Sequence, residues 1–368
     1  MNTEIYTIFN GTGSYIPKQR IPNKHFLKNE FYDSDGNKID KPNKEIIQKF
    51  EEITGIKERR YVWDYQNTSD ISYIAAKNAF KDSGIDKESL DYIIVAHNFG
   101  DVRADNKRSE FVPTLASRVK HKLEIENPHT LAYDLPFGCP GWLQGVIQAD
   151  YYIKSGDAKR VMVIGAETLS RIYDPHDRDG MIYADGAGAT ILEAILSKDR
   201  LGILSHAARS DTKEHAYMLW MDKSYNPDYG TDDLLLKMHG HELYKYALRT
   251  VPLVVKEALD KAGVHLNDVR KVLIHQANEK MDEAILQQLF RLYGKKKSEI
   301  PKYIMPMTIS WLGNSSVATL PTMLDLIFKG KLNDHDLREG DIIVFASVGA
   351  GMNINAAVYK MPLLSFRY

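Results

Sequence analysis

The chain has 368 residues, of which 43% are hydrophobic and 26% charged, close to the average of soluble globular proteins and unlike disordered, coiled-coil or collagen-like chains. Its 48 Lys and Arg against 49 Asp and Glu leave a formal net charge of -1, so no global positive field marks it for nucleic acid. One cysteine excludes an internal disulfide framework and any multi-cysteine zinc or iron–sulfur site.

In chain order, β-rich runs alternate with helical segments. A strand is predicted at Ile5–Gly11. A polar, turn-rich stretch, Asp33–Asn43, reads as a surface insertion before a helix at Lys44–Glu52. A helix at Thr68–Ser83 precedes strands at Tyr92–His97 and Thr130–Asp134. Next come a helix at Cys139–Ser155 and strands at Val161–Ile164 and Ala189–Glu193. The remainder predicts a helix at Gly240–Ala262, a strand at Val272–His275, helices at Met281–Leu292 and Ser315–Lys329, and a strand at Ile342–Ser347. This alternation argues an α/β fold with largely parallel, buried strands. No apolar run approaches the ~18 residues of a membrane span. Met1–Asn10 carries Glu4 and no long apolar core, so it is not expected to be a signal peptide, and the expected compartment is the cytoplasm.

An internal repeat links the two parts of the chain. Ala79–Gly84 followed by Leu90–His97 matches Ala258–Gly263 followed by Val269–His275. The helix opened by Cys139 and the strand Val161–Ile164 match the helix opened by Asn314 and the strand Ile342–Ser347. Cys139 and Asn314 are then equivalent positions at helix N-termini. His275 falls at the carboxyl end of a strand, where open α/β sheets place ligands.

Cys139 sits in Asp134-Leu-Pro-Phe-Gly-Cys-Pro-Gly-Trp142, a strand–glycine–cysteine–helix turn of the nucleophile-elbow kind. A helix N-terminus there would lower the thiol pKa and supply N–H donors to an oxyanion. A small buried hydrophobe is the plainer reading of a lone cysteine. Taken singly, His275 reads more readily as a satisfied core histidine and Asn314 as an N-cap, and the plain reading of Gly349-Ala350-Gly351 is a simple turn. His239-Gly-His241-Glu242 reads as surface histidines rather than a metal site.

Together these residues resemble the thiolase-fold condensing enzymes, most closely the 3-oxoacyl-acyl-carrier-protein synthase III family. Thr54-Gly-Ile-Lys-Glu-Arg59 is similar to that family's T-G-I-x-E-R segment, and Asp185-Gly-Ala-Gly-Ala189 to its D-G-A-G-A strand entry. Gly11–Pro17, Asp174–Arg178, His275-Gln-Ala-Asn278 and Gly313-Asn-Ser-Ser316 match further motifs in order. The resemblance implies a thiolase-like fold of duplicated αβαβα layered halves with mostly parallel sheets, divided as 1–195 and 196–368. It implies a catalytic set of Cys139, His275 and Asn314, with the oxyanion held by Cys139 N–H and the Gly349–Gly351 turn, chiefly Ala350. Met181 and Ile182 are expected to help line the acyl tunnel. Lys245 and Lys280 match positions that dock the acidic acyl carrier protein.

The implied reaction joins an acyl group on Cys139 to malonyl-acyl-carrier-protein with loss of carbon dioxide, giving a 3-oxoacyl-acyl-carrier-protein in fatty acid or related lipid or polyketide biosynthesis. It implies no metal or organic cofactor, acyl-coenzyme A or acyl-carrier-protein as donor, and a homodimer. One departure is that Lys49 and Ile53 stand where the family clamps the coenzyme A adenine with Trp and Arg; Phe50 is a partial substitute. Such departures keep open an acyltransferase, or a branch serving dialkylresorcinol or quinolone synthesis. A cysteine hydrolase is a further, less consistent alternative.

Overall fold

In the computed structural model, which describes residues 3–362, a five-stranded and a four-stranded sheet lie one above the other. Met1, Asn2 and the last six positions of the 1–195 and 196–368 division lie outside the described residues. The first sheet contains β1 (Glu4–Tyr15), β2 (Tyr92–His97), β3 (Leu131–Pro136), β4 (Arg160–Thr168) and β5 (Asp185–Ser197), in the order β1-β5-β4-β2-β3. The second contains β6 (Gly202–Ser210), β7 (Val269–Ile274), β8 (Ile342–Gly349) and β9 (Asn353–Lys360), in the order β6-β9-β8-β7.

Each sheet is mixed. Strands joined through helical crossovers run parallel, as in β2 with β3 and β4, and β7 with β8. β5 and β9 return without a crossover helix, so they pair antiparallel with β4 and β8. β1 and β6 also pair antiparallel, with β5 and β9 respectively.

The longer helices are α1 (Asn43–Thr54), α2 (Thr68–Ser83), α3 (Leu115–Lys122), α4 (Gly141–Ser155), α5 (Gly240–Ala262), α6 (Glu279–Leu292) and α7 (Thr319–Phe328), with a single turn of helix at Ile309–Leu312. Alternating side chains on the inner strands reach two different cores. Ile93, Val95, Met162 and Ile164 pack outward against α2 and α3. Ile94, Val161, Val163, Leu273, Ile343 and Phe345 pack inward around α4 and α7, which lie between the sheets. Val272, Ile274, Val344 and Ala346 face α5 and α6. The layers are therefore helix, sheet, helix, sheet, helix. Both faces of the inner strands are buried, which explains their unbroken apolar runs.

The two central helices must come close to the sheets. At Gly165 on β4 an added Cβ would sit 2.3 Å from the Val317 carbonyl oxygen, so only glycine admits the turn before α7. That turn carries Asn314 and Ser316 toward Cys139. The helix predicted from Ser315 begins instead at Thr319, after a 3-10 turn at Ser316–Ala318. β6 and β9 are additions to the predicted strands. Asn353-Ile-Asn-Ala-Ala has weak strand propensity, and partners on both sides hold it extended.

Candidate active site

Cys139 follows β3 through Phe137 and Gly138, two residues before α4. His275 is the first residue beyond β7, and its N–H donates to the Ala346 carbonyl of β8 at 2.8 Å. Asn314 is tied to the chain before β5. Its N–H donates to the Ile182 carbonyl and its carbonyl accepts from Ala184 N–H, both at 2.9 Å. The three side chains line one cavity of about 250 Å³, together with Gly349 and Ala350.

Burial dominates the electrostatics. Cys139 is part-buried on the cavity wall and protein surrounds its sulfur, which pushes the thiol up to about 11. The direction is opposite to the lowering expected from its place before a helix, because burial penalises the charged thiolate. Donation from the Ser316 hydroxyl to Sγ, at 3.1 Å, pulls the other way. Burial alone pushes His275 down to about 4, so its imidazole is neutral near pH 7. Its Nδ1 is buried without a hydrogen-bond partner among the described residues. The Asn314 Oδ1 accepts from Ser316 N–H at 2.8 Å, which fixes the amide and leaves Nδ2 to donate.

The Gly349–Gly351 turn abuts the nucleophile. A Cβ at Gly349 would lie 2.7 Å from Cys139 N, and one at Gly138 would lie 3.1 Å from Ala350 N. The Ala350 carbonyl accepts from Asn353 Nδ2 at 2.8 Å, which anchors the turn. Gly351 ends the turn and is not part of the cavity lining.

Other expected site residues lie elsewhere. Met181 and Ile182 do not line the cavity; they pack with Phe26, Phe50 and Ile56 against α1. The 3-10 turn Arg178–Ile182 buries their side chains and directs backbone to the site instead. The Ile182 carbonyl holds Asn314, and the Met181 carbonyl accepts from Arg59 Nε at 2.9 Å. The apolar wall comes mainly from Phe99, Leu169, Tyr183, Leu243, Met281 and a hairpin, Leu219–Asp222 with Leu235–Met238. The hairpin escaped the sequence reading because its strands are short and flank a polar loop. Its alternating Leu219, Met221, Leu236 and Met238 were the available signal.

Lys245 and Lys280 are exposed, Lys245 pairing with Glu242 at 3.1 Å. Each lies within two residues of a cavity-lining side chain, Leu243 on α5 or Met281 on α6. Lys49 and Ile53 are exposed on α1, whereas Phe50 is buried with the Arg59 guanidinium 5.7 Å from its ring centroid. Phe50 therefore cannot stack on an adenine. His239 lies against Trp220, ring centroids 4.3 Å apart.

The recurring motifs brace this geometry. Arg59 is fully buried and also donates to the Ile21 carbonyl and Asn23 Oδ1. Asp185 accepts from Val62 N–H and from Ser170, clasping two loops. Gln276 pins the Pro306–Thr308 loop, and Asn278 caps α6.

Comparisons with known proteins point to one family. A family model for 3-oxoacyl-[acyl-carrier-protein (ACP)] synthase III matches residues 133–212, and the model of its C-terminal part matches residues 259–361. The beta-ketoacyl-[acyl-carrier-protein] synthase III of Staphylococcus haemolyticus is 31% identical over 351 residues, covering 95% of this chain and 97% of its own. The crystal structure of 3-oxoacyl-[acyl-carrier-protein] synthase III from Aquifex aeolicus superposes with a TM-score of 0.76 at 30% identity, covering 96% of this chain and 99% of its own. The Thermus thermophilus structure gives 0.75 at 27%, covering 96% and 98%. The fold and site define a thiolase-fold condensing enzyme, an acyltransferase. Within that class the chain belongs to the 3-oxoacyl-acyl-carrier-protein synthase III family.

The buried histidine sets a pH dependence of stability. His275 accepts a proton near pH 6.5 when unfolded but only near 4 when folded. Its contribution is therefore present above about pH 6.5 and is lost as the pH falls toward 4. In urea unfolding, the wild type should lose roughly 2–3 kcal/mol more than His275→Gln between about pH 7 and about pH 4.5. Equal losses would contradict a neutral, desolvated His275.

Proposed function

We propose that this enzyme performs a decarboxylating Claisen condensation of a Cys139-bound acyl group with malonyl-acyl-carrier-protein, giving a 3-oxoacyl-acyl-carrier-protein in fatty acid biosynthesis. The observation that carries this reading is a neutral His275 and an Asn314 amide with its oxygen already engaged, both lining the Cys139 cavity. Such a pair supplies hydrogen-bond donors to a thioester oxygen on which charge develops.

In the first half-reaction the Cys139 thiolate attacks an acyl thioester. The carbon–sulfur bond to the carrier breaks, and the carrier leaves as a thiol with the proton that the Cys139 thiol gave up. Cys139 N–H and Ala350 N–H are the donors assigned to the tetrahedral oxyanion. In the second, malonyl thioester loses carbon dioxide and its electron pair moves into an enolate. His275 and Asn314 donate to the enolate oxygen. The enolate carbon then attacks the acyl carbonyl, forming the new carbon–carbon bond and expelling the Cys139 thiolate. Side chains and backbone supply all of these groups, so the reading calls on no metal or organic cofactor.

A cysteine hydrolase would need the Asn314 oxygen to orient His275. That oxygen instead accepts from Ser316 N–H, and His275 Nδ1 has no partner among the described residues.

Lys245 and Lys280, beside the cavity-lining starts of α5 and α6, are proposed to meet the acidic carrier protein. Exposed Lys49 and Ile53, with Phe50 buried, offer no adenine clamp at those positions. We therefore assign carrier-protein thioesters, or longer-chain coenzyme A thioesters, as better donors than acetyl-coenzyme A. The apolar cavity wall supports the longer chain. A cytoplasmic location fits a chain in which no helix of the described residues is long and apolar enough to cross a membrane. β3 is an edge strand with Leu131 54% exposed, and we assign it to the interface of a homodimer.

Intact-mass analysis tests the first half-reaction. The wild type should gain an acyl adduct, more readily from octanoyl than from acetyl donors, and Cys139→Ala should gain none. An adduct on Cys139→Ala would sink the nucleophile assignment, and a preference for acetyl-coenzyme A would overturn the donor assignment.

Light scattering tests the interface. A particle of twice the 41.9 kDa chain mass is expected, and a monomer at micromolar concentration would refute the assembly.

A further inference from the structure

Cys139 lies at the end of a hydrogen-bonded line of side chains that the condensation reaction does not by itself require. Glu167 near the end of β4 is 1% exposed, and its Oε1 accepts from both the backbone N–H and Nδ2 of Asn98. Asn98 Nδ2 also donates to Ser316 Oγ at 3.0 Å, and Ser316 Oγ donates to Cys139 Sγ at 3.1 Å. We propose that Asn98 and Ser316 form a relay that aims the Ser316 hydroxyl at the Cys139 sulfur and stabilises its thiolate.

The geometry leaves the hydroxyl little choice. An amide nitrogen has two protons; Asn98 directs one at Glu167 and one at Ser316. Ser316 Oγ therefore accepts from Asn98, and its single proton is free to point at sulfur. Glu167 fixes which way the Asn98 amide faces. Asn98 is thus a positioning residue, while Ser316 touches the reacting atom. Ser316 holds a left-handed backbone at φ 52°, an uncommon conformation for a side-chain-bearing residue. Its N–H meanwhile fixes Asn314. One residue thereby orients the enolate donor and polarises the nucleophile.

The groups around the thiol agree with a need for such a donor. Glu167 and Tyr183 interact electrostatically with Cys139, and His275 shares its cavity as a neutral group. None of them brings a positive charge to the sulfur. Burial pushes the Glu167 carboxyl up to about 8, with Asp185 adding to the rise, so near pH 7 it anchors Asn98 mostly uncharged. Hydrogen bonds are then what opposes the desolvation of the thiolate.

The test is independent of the acyl substrate, because Cys139 is the only thiol in the chain. Ultraviolet thiolate absorbance is titrated across the alkaline range, with Cys139→Ala as the blank. Ser316→Ala and Ser316→Gly should both displace the titration upward by about one pH unit, a tenfold change in the ionisation constant. Glycine accepts the positive φ without strain, so this variant keeps the test valid if Ser316→Ala folds poorly. Asn98→Ala should move the curve in the same direction by less.

Alkylation by iodoacetamide forms a sulfur–carbon bond, expels iodide and passes the thiol proton to buffer. In the Ser316 variants its rate at a fixed alkaline pH should fall about threefold, since the more basic thiolate is intrinsically more nucleophilic. A role in packing alone would change alkylation through access while leaving the absorbance titration in place. Titration curves for both Ser316 variants that coincide with the wild type would overturn the relay.

Discussion

The desolvation of Cys139 is the constraint on which the site depends. The sulfur lies where two central helices approach between two sheets, an environment that strongly disfavours a free thiolate. The same burial keeps His275 neutral, and a neutral imidazole can serve as a hydrogen-bond donor without adding charge to the cavity. The low local dielectric that comes with burial also strengthens each hydrogen bond made there. The proposed chemistry consequently rests on placed donors: backbone N–H groups at Cys139 and Ala350, the Asn314 amide, and the Ser316 hydroxyl.

Placement of those donors explains much of the surrounding fold. Gly165 admits the turn that brings Ser316 to Cys139, and Gly349 admits the turn that brings Ala350 there. Buried Arg59 lies behind Gly313; a Cβ on that glycine would be 2.6 Å from Arg59 Cβ. The Arg59 and Asp185 motifs hold loops together, one through a cation and the other through an anion. Single substitutions in these braces would reach the reacting atoms through the backbone of Ile182, Ala184 and Asn314.

That Cys139, His275 and Asn314 meet was legible in the sequence because the motifs around them follow in order, and because His275 ends an apolar strand; the structure brings the three to one cavity, although Asn314 precedes its helix by five residues. The helices Thr68–Ser83 and Gly240–Ala262 and the strand Tyr92–His97 were legible to the residue, since periodicity and glycine stops coincide there. The acyl wall was not. Met181 and Ile182 are apolar and close to the site in sequence, but local periodicity does not reveal that a 3-10 turn buries them behind the cavity wall, in the same cluster as Leu169, Tyr183 and Leu236. The thiol shift was misread for a related reason: a helix end is visible in sequence, whereas enclosure by distant segments is not. Asn98 and Glu167 likewise show their partnership only when β2 and β4 lie side by side.

The central claim is that His275 and Asn314 serve the malonyl half-reaction while Cys139 serves the acyl half. Release of carbon dioxide from malonyl-acyl-carrier-protein, measured without an acyl donor, tests it most directly. His275→Ala and Asn314→Ala should each lower this rate by at least ~10²-fold, the scale of removing one oxyanion donor, while retaining partial acylation of Cys139. Unchanged decarboxylation together with complete loss of acylation in both variants would contradict the account.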